Sequence, residues 1–200
     1  MPNRLKNTDV KLNLFSLVMD RDRMYYTLKR MTPSFWWTRS TTKYILTHYQ
    51  KKELLVAEIG VDYGSNAKNM LKFLPIKKMY LIDPYDNKAD GEVGEQRFKK
   101  AKKFLIKYTN QIEFIRKKST DALNDVPNDL DFVYIDGNHE YESVKKDIEL
   151  YFPKVKKGGI LGGHDFWGNE IGVCRAVVEF ADNNNLKLYG GLNDWWVVKK

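Results

Sequence analysis

From Leu54 onward, short apolar runs rich in β-branched and aromatic residues alternate with longer stretches whose apolar positions recur at helical spacing. The runs predict strands over Leu54–Ile59, Met79–Asp83, Ile112–Ile115, Asp131–Ile135 and Gly159–Gly162. The amphipathic stretches predict helices over Ser65–Phe73, Glu92–Tyr108, Ser119–Leu123, Tyr141–Tyr151 and Glu170–Asn183. Regular alternation of this kind builds a parallel sheet covered by helices on both faces, because a parallel crossover needs a connection long enough to hold a helix. Two final runs, Leu186–Tyr189 and Trp195–Val198, are separated by a Gly-Gly-Leu-Asn-Asp loop too short for a crossover, which predicts an antiparallel hairpin. The expected fold is therefore α/β: a Rossmann-like, doubly wound, seven-stranded sheet, mostly parallel, with a C-terminal antiparallel hairpin. That ending departs from the plain dinucleotide-binding topology.

Residues 1–50 precede the first strand and read as an N-terminal helical segment carrying Phe35, Trp36 and Trp37. They are a candidate lid, although large aromatics more often serve burial against the domain. Residues 51–200 read as the catalytic domain. The 200-residue length suits one such domain, and 42% hydrophobic with 30% charged residues is a globular balance. No apolar run approaches the roughly 18 to 20 residues of a membrane span, so no membrane partner is expected. The opening MPNRLKNTDVKLNLF lacks the apolar core of a signal peptide. Cys174, the lone cysteine, suits a reducing cytoplasm. The net charge of +8 raises the question of nucleic acid. Its lysines, however, fall in small groups among acidic residues, and a solvated surface is the expectation, with nucleic acid disfavoured. Oligomeric state is left open, a homo-oligomer included.

Candidate chemistry begins at Val56-Ala57-Glu58-Ile59-Gly60-Val61-Asp62-Tyr63-Gly64-Ser65, a strand running through a glycine turn into a helix. Gly60 and Gly64 allow a sharp bend and close approach of a ligand. A dinucleotide fingerprint would carry a glycine where Asp62 stands, and Asp62 would repel a pyrophosphate. Glu58 and Asp62 instead suit a cationic ligand. The next strand ends in Asp83, about 20 residues after the turn, where an acidic side chain can accept both hydroxyls of a ribose. Ser119 follows the third strand, near the expected adenine edge, although a helix N-cap would account for it equally well.

The fourth strand ends at Asp136, which borders the same ligand, and His139 follows on the turn; the fifth runs Gly158-Gly159 to Gly163-His164-Asp165-Phe166. Groups at the C-terminal ends of adjacent parallel strands converge on the ligand crevice, which gathers Asp136, His139, His164 and Asp165. The segments Glu58-Ile59-Gly60 to Gly64, Leu81-Ile82-Asp83-Pro84, Ile135-Asp136-Gly137-Asn138-His139-Glu140-Tyr141 and Gly158 to Phe166 resemble methyltransferase family 24 of the class I enzymes that use S-adenosyl-L-methionine (SAM). The group is similar to the TylF-like sugar O-methyltransferases and, more distantly, to catechol and caffeoyl-CoA O-methyltransferases. The likeness covers about residues 54 to 198.

The resemblance implies SAM as cofactor, bound by Glu58, Gly60, Asp62, Gly64, Asp83, Ser119 and Asp136. It also implies O-methylation of a hydroxylated small molecule or glycan sugar, assisted by a divalent cation, Mg²⁺ or Mn²⁺, at Asp136, His164 and Asp165. Relatives carry Asp-Asp or Asp-Asn at the last two positions; His164 departs from that pattern and softens the oxygen site, which favours Mn²⁺, Zn²⁺ or no metal over Mg²⁺. Independently of family, a hydroxyl needs a base or a cation before it can attack a methyl group. Asp136, His139 and His164 are the catalytic candidates, since imidazole titrates near neutrality. Three rivals stand: an RNA or other nucleic-acid methyltransferase, a nicotinamide-dependent oxidoreductase, and a SAM-binding protein without turnover. The first lacks the Asn/Asp-Pro-Pro-Tyr/Phe segment of base-amino methylation after the fourth strand, and the second lacks the middle glycine.

Overall fold

The structure, a computed structural model, describes residues 38–49, 53–86, 88–89 and 92–200. Phe35, Trp36 and Trp37 of the candidate lid lie outside them. The described chain runs α1 (Ser40–His48), β1 (Leu54–Ile59), α2 (Ser65–Phe73), β2 (Ile76–Ile82), β3 (Lys88–Ala89), β4 (Glu92–Val93) and α3 (Gly94–Phe104). It continues with β5 (Ile112–Ile115), β6 (Leu130–Ile135), α4 (Tyr141–Tyr151), β7 (Val155–Gly163), α5 (Ile171–Asn183), β8 (Leu188–Gly191) and β9 (Asp194–Val198). Seven strands form one sheet in the order β5-β2-β1-β6-β7-β9-β8. The first five are parallel, and β9 runs antiparallel to both β7 and β8. This is the expected Rossmann-like sheet with its antiparallel ending.

Period-two alternation along the strands feeds two cores, one on each face. Ala57, Ile59, Val133, Ile135, Leu161 and Trp195 meet the buried stripes of α4 and α5. Val56, Phe132, Tyr134, Ile160 and Trp196 turn the other way and meet α1, α2 and Ala101 of α3. Strands buried on both faces read as continuous apolar runs, which is why β1 and β6 were legible to the residue or nearly so. Among the described residues no helix is long and apolar enough to cross a membrane.

Three expectations are corrected. The helix expected over Glu92–Tyr108 begins at Gly94 and ends at Phe104, followed by a 3₁₀ turn over Ile106–Tyr108. Glu92–Val93 pairs instead with Lys88–Ala89, and Gly94 lies so close to the Tyr85 carbonyl that a Cβ there would sit 1.7 Å from its oxygen. The helix expected over Ser119–Leu123 is a turn followed by a 3₁₀ segment at Leu123–Asp125. Pro127 forces Val126 to extended geometry (φ −108°, ψ 130°) and stops any longer helix. Finally, the hairpin turns on Leu192 and Asn193 alone, both at positive φ (46° and 68°), with both glycines of the expected loop inside β8.

Two buried carboxylates tie the ends of the sheet. At the N-terminal ends of the parallel strands, Asp131 accepts from the Tyr49 hydroxyl (3.0 Å) and the Leu55 N–H (2.8 Å), and pairs with Lys156. At the opposite edge, fully buried Asp194 accepts from the Thr41 N–H (2.9 Å), the Thr41 hydroxyl (3.1 Å) and the Tyr134 hydroxyl (2.8 Å). Asp194 thereby anchors the first turn of α1 to β6 and β9, where its charge also opposes the positive end of the helix. Asp194→Ala is expected to cost about 3–5 kcal/mol, because it strands buried donors on both elements. A urea melt checks this.

Candidate active site

One geometric fact assembles the site. Gly60, Asp83, Asp136 and His164 are each the first residue past the end of a parallel strand, and the strand ends are in register: Ile59 pairs with both Ile82 and Ile135, and Ile135 pairs with Gly163. Ladder-like bonds continue one residue further, from Gly60 N–H to Ile82 O (2.9 Å), Asp136 N–H to Ile59 O (2.7 Å) and His164 N–H to Ile135 O (3.0 Å). Four chemistry-bearing positions therefore line one edge because their strands stop in the same row.

The glycine loop is shaped at both ends. Gly60 (φ 81°) packs so tightly on β6 that a Cβ would lie 2.0 Å from the Asp136 carbonyl oxygen, so any side chain would push the loop off the edge. Gly64 (φ 79°) leads into α2, and Asp62 between them is also left-handed (φ 47°). The Asp83 carboxylate holds the loop by accepting the N–H groups of Val61 and Asp62 at Oδ2 (3.0 Å each) and that of Tyr85 at Oδ1 (2.8 Å). Asp62 itself is paired with Arg97 of α3 (2.9 Å), so its charge is already answered within the chain. Glu58, at the buried end of β1, accepts from Asn66 at Oε1 (2.9 Å), while its Oε2 has no hydrogen-bond partner among the described residues. Burial pushes the Glu58 carboxyl up to about 8, with the Asn66 bond and Arg39 opposing and Asp136 and Asp83 adding to the rise.

Beyond β6 and β7 lies a chain of ionisable groups. Asp165, left-handed at φ 58°, receives His164 Nδ1 on Oδ1 and His139 Nε2 on Oδ2, each at 3.0 Å. His139 turns its other nitrogen to Glu170 (3.4 Å). The turn carrying His139 is pressed against the start of α5, where a Cβ on Gly172 would lie 2.4 Å from the His139 carbonyl oxygen. Asp136 stands 3.9 Å from His164 Nδ1 and 3.7 Å from Arg39. Burial lifts the Asp136 carboxyl to about 6 against the pull of His164 and Arg39. For Asp165 burial also works against the charge, but the bond and charge of His164, with His139 and Arg39, outweigh it and hold its carboxyl low.

The edge thus brings together Glu58, Gly60, Asp62, Gly64, Asp83, Asp136, His139, His164 and Asp165. The Ser119 hydroxyl donates to Asp147 of α4, a side chain that lies beside Gly137 at the same edge, and its carbonyl accepts from the Tyr151 hydroxyl (2.7 Å). Among the described residues the group at metal-ligand spacing is Asp136, His139 and Asp165, with donor atoms within 4.8 Å of one another. His164 Nδ1 lies beside the same two carboxylates, 3.9 Å from Asp136 and 3.0 Å from Asp165. Sequence reasoning missed Arg39, Glu170, Asn66 and the Asp194–Tyr134 pair. Glu170 precedes a helix and was read as its first residue; Arg39 precedes α1 within the segment read as helical, where nothing singled out one basic residue.

Comparison with known proteins bears on this geometry. Residues 57–166 match the methyltransferase domain of family 24. An uncharacterized protein of Acanthamoeba polyphaga mimivirus is 32% identical over 123 residues, 59% of this chain and 54% of its own length. An uncharacterized protein of Sinorhizobium fredii is 30% identical over 134 residues, 63% of this chain and 15% of its own length. The chain thus spans about half of the first relative and far less of the second. Among solved structures, a Streptococcus mutans protein assigned as a methyltransferase, in complex with S-adenosylhomocysteine (SAH), superposes with a TM-score of 0.63 at 14% identity, covering 85% of this chain and 99% of that one. An rRNA methylase from Streptococcus thermophilus gives 0.58 at 17%, covering 80% and 93%. A SAM-dependent O-methyltransferase from Thermotoga maritima gives 0.59 at 12%, covering 88% and 69%. At such identities these likenesses carry the fold. The family match carries more, because it spans the glycine loop, Asp83 and the whole cluster from Asp136 to Asp165, and on it the chain belongs to methyltransferase family 24.

Proposed function

We propose that the chain is a SAM-dependent methyltransferase that methylates the hydroxyl of a small molecule or a glycan sugar. The observation that carries this reading is the Asp136–His139–Asp165–His164 cluster beside the Gly60 loop, which sets a base and a cation-compatible trio at one strand edge. SAM fits the residues present. The buried Oε2 of Glu58, without a hydrogen-bond partner among the described residues, is an acceptor for an ammonium, and Asp83 retains one lone pair, on Oδ1, for a ribose hydroxyl alongside its three backbone bonds. When bound, SAM supplies a methyl group on a positively charged sulfur that leaves as a neutral thioether.

The chain's own residues deal with the acceptor proton. His164 commits Nδ1 to Asp165, which fixes its tautomer and leaves Nε2 to take the hydroxyl proton as the oxygen attacks the methyl carbon. His139 lies between two carboxylates, Asp165 at Nε2 and Glu170 at Nδ1; to hold a cation with Asp136 and Asp165 it would turn one ring nitrogen to the ion and keep the other on its carboxylate. Two carboxylates and an imidazole suit Mn²⁺ better than Mg²⁺. A cation held there would lower the acceptor hydroxyl's pKa by its charge. Holding acceptor and donor in line accounts for the remaining acceleration.

The test is transfer of tritiated methyl from SAM to pools of sugars, catechols and mixed RNA, with Mn²⁺ or with chelator. Label in a hydroxylated small molecule is the expected result. Label in RNA alone would replace the acceptor class, and SAH binding without any transfer would mark a binding protein.

A further inference from the structure

Residues 94–118 hold nine basic residues and two acidic ones, so this stretch carries +7 of the chain's net +8. It comprises α3, the following 3₁₀ turn, and β5, the outermost strand on its side of the sheet, with the loop beyond it. The buried face of α3 is Gly94, Arg97 and Ala101, which leaves Lys99, Lys102 and Lys103 exposed. Among these cations two large apolar side chains stand out in solvent, Phe104 (43% exposed) and Ile106 (68%). β5 lies three strand positions from β6 in the sheet order, about 14 Å at ordinary strand spacing, so this surface does not cover the reacting groups.

Concentrated positive charge calls for a polyanion, and the apolar residues decide which kind. Single-stranded nucleic acid is gripped by cations together with open aromatic faces on which bases stack. Here the ring faces are engaged: Lys68 Nζ lies 3.6 Å from the Phe104 centroid and Arg116 lies 4.3 Å from that of Phe98. Ile106 offers a base nothing. The headgroup zone of a bilayer uses both features, lysines meeting anionic headgroups while exposed aliphatic and aromatic edges enter the acyl boundary. We infer that the α3–β5 edge docks on the surface of an anionic lipid bilayer, leaving the Asp136–His164 cluster three strand positions from the edge that meets the lipid.

The test is co-sedimentation of the full chain with vesicles of phosphatidylcholine alone or with about one quarter phosphatidylserine, at about 0.1 M salt. The chain partitions onto the anionic vesicles and not the neutral ones. Each basic residue at such a surface strengthens binding about five-fold, so joint Lys99→Gln, Lys102→Gln and Lys103→Gln substitution weakens it about 100-fold. Ile106→Ser keeps the charge and weakens it about ten-fold. All four residues are exposed, so circular dichroism and SAH affinity stay at the parent's values. Equal partition onto both vesicles overturns the inference. So does tighter binding of a single-stranded RNA oligonucleotide that is indifferent to Ile106→Ser, which would make the partner nucleic acid.

Discussion

Asp136→Asn is expected to lower methyl transfer by about two to four orders of magnitude while leaving SAH affinity within a few-fold. The side chain faces His164, Arg39 and the His139–Asp165 pair, and stands at the end of β6, where the acceptor is proposed to lie. The amide is isosteric but removes the negative charge that those cationic groups and any bound cation need. Its burial adds a pH signature. Because the carboxyl is lifted to about 6, transfer by the parent falls as pH drops through about 6 and the charge is lost. The Asn variant loses the part of that limb which the Asp136 charge sets, and keeps only the part that follows protonation of the base. Initial rates from pH 5 to 8 check both statements; unchanged turnover would remove Asp136 from the mechanism.

Glu58→Gln is the second large effect, and it acts with opposite sign on stability and on binding. In the folded, ligand-free protein the Glu58 carboxyl is raised from 4.5 to about 8, chiefly by burial. A group raised on folding contributes its full stability below its unfolded value, and that contribution is lost as pH rises through the folded one. The parent therefore weakens between about pH 5 and 8, whereas the neutral amide does not. At pH 9 the variant is more stable than the parent by on the order of 3–5 kcal/mol, and so unfolds at higher temperature. Binding responds in the other direction. An ammonium placed on Glu58 Oε2 favours the charged carboxylate, so SAH binds more tightly to the parent as pH rises from about 6.5 to 8.5, with release of a proton. The variant loses that pH dependence and binds about 10- to 100-fold more weakly at the upper end. Thermal melts and titrations in buffers of different ionisation heat measure the two effects.

What the sequence made legible follows from which physical signals are local. β1, β5, α2 and α4 were read to the residue, since period-two and helical repeats are carried by contiguous side chains. The row of Gly60, Asp83, Asp136 and His164 was also legible, because parallel strands that end at recognisable residues bring their successors to one edge. Pairings across the fold were not. That His139 lies at ligand distance from Asp136 and Asp165 goes with a left-handed Asp165 and with Gly172 of α5 pressing on the His139 turn, and neither leaves a periodic trace. Nor could the sequence show that the Ser119 hydroxyl meets Asp147, 28 residues away. Arg39 reaches the cluster from the residue just ahead of α1, whose first turn the Asp194 anchor holds to the sheet, a pairing that a helical repeat does not show. Charge gave the least, because a net +8 says nothing of where it sits until α3 and β5 are seen to share one edge of the sheet.

The central claim is that the crevice between the Gly60 loop and Asp83 holds a SAM-type nucleoside, and calorimetric titration of the intact chain with SAH, set against NADH, tests it most directly. The account predicts low-micromolar binding of SAH, accompanied by proton release near pH 7.5, and no measurable binding of NADH. Absence of SAH binding, or a preference for NADH, would contradict it.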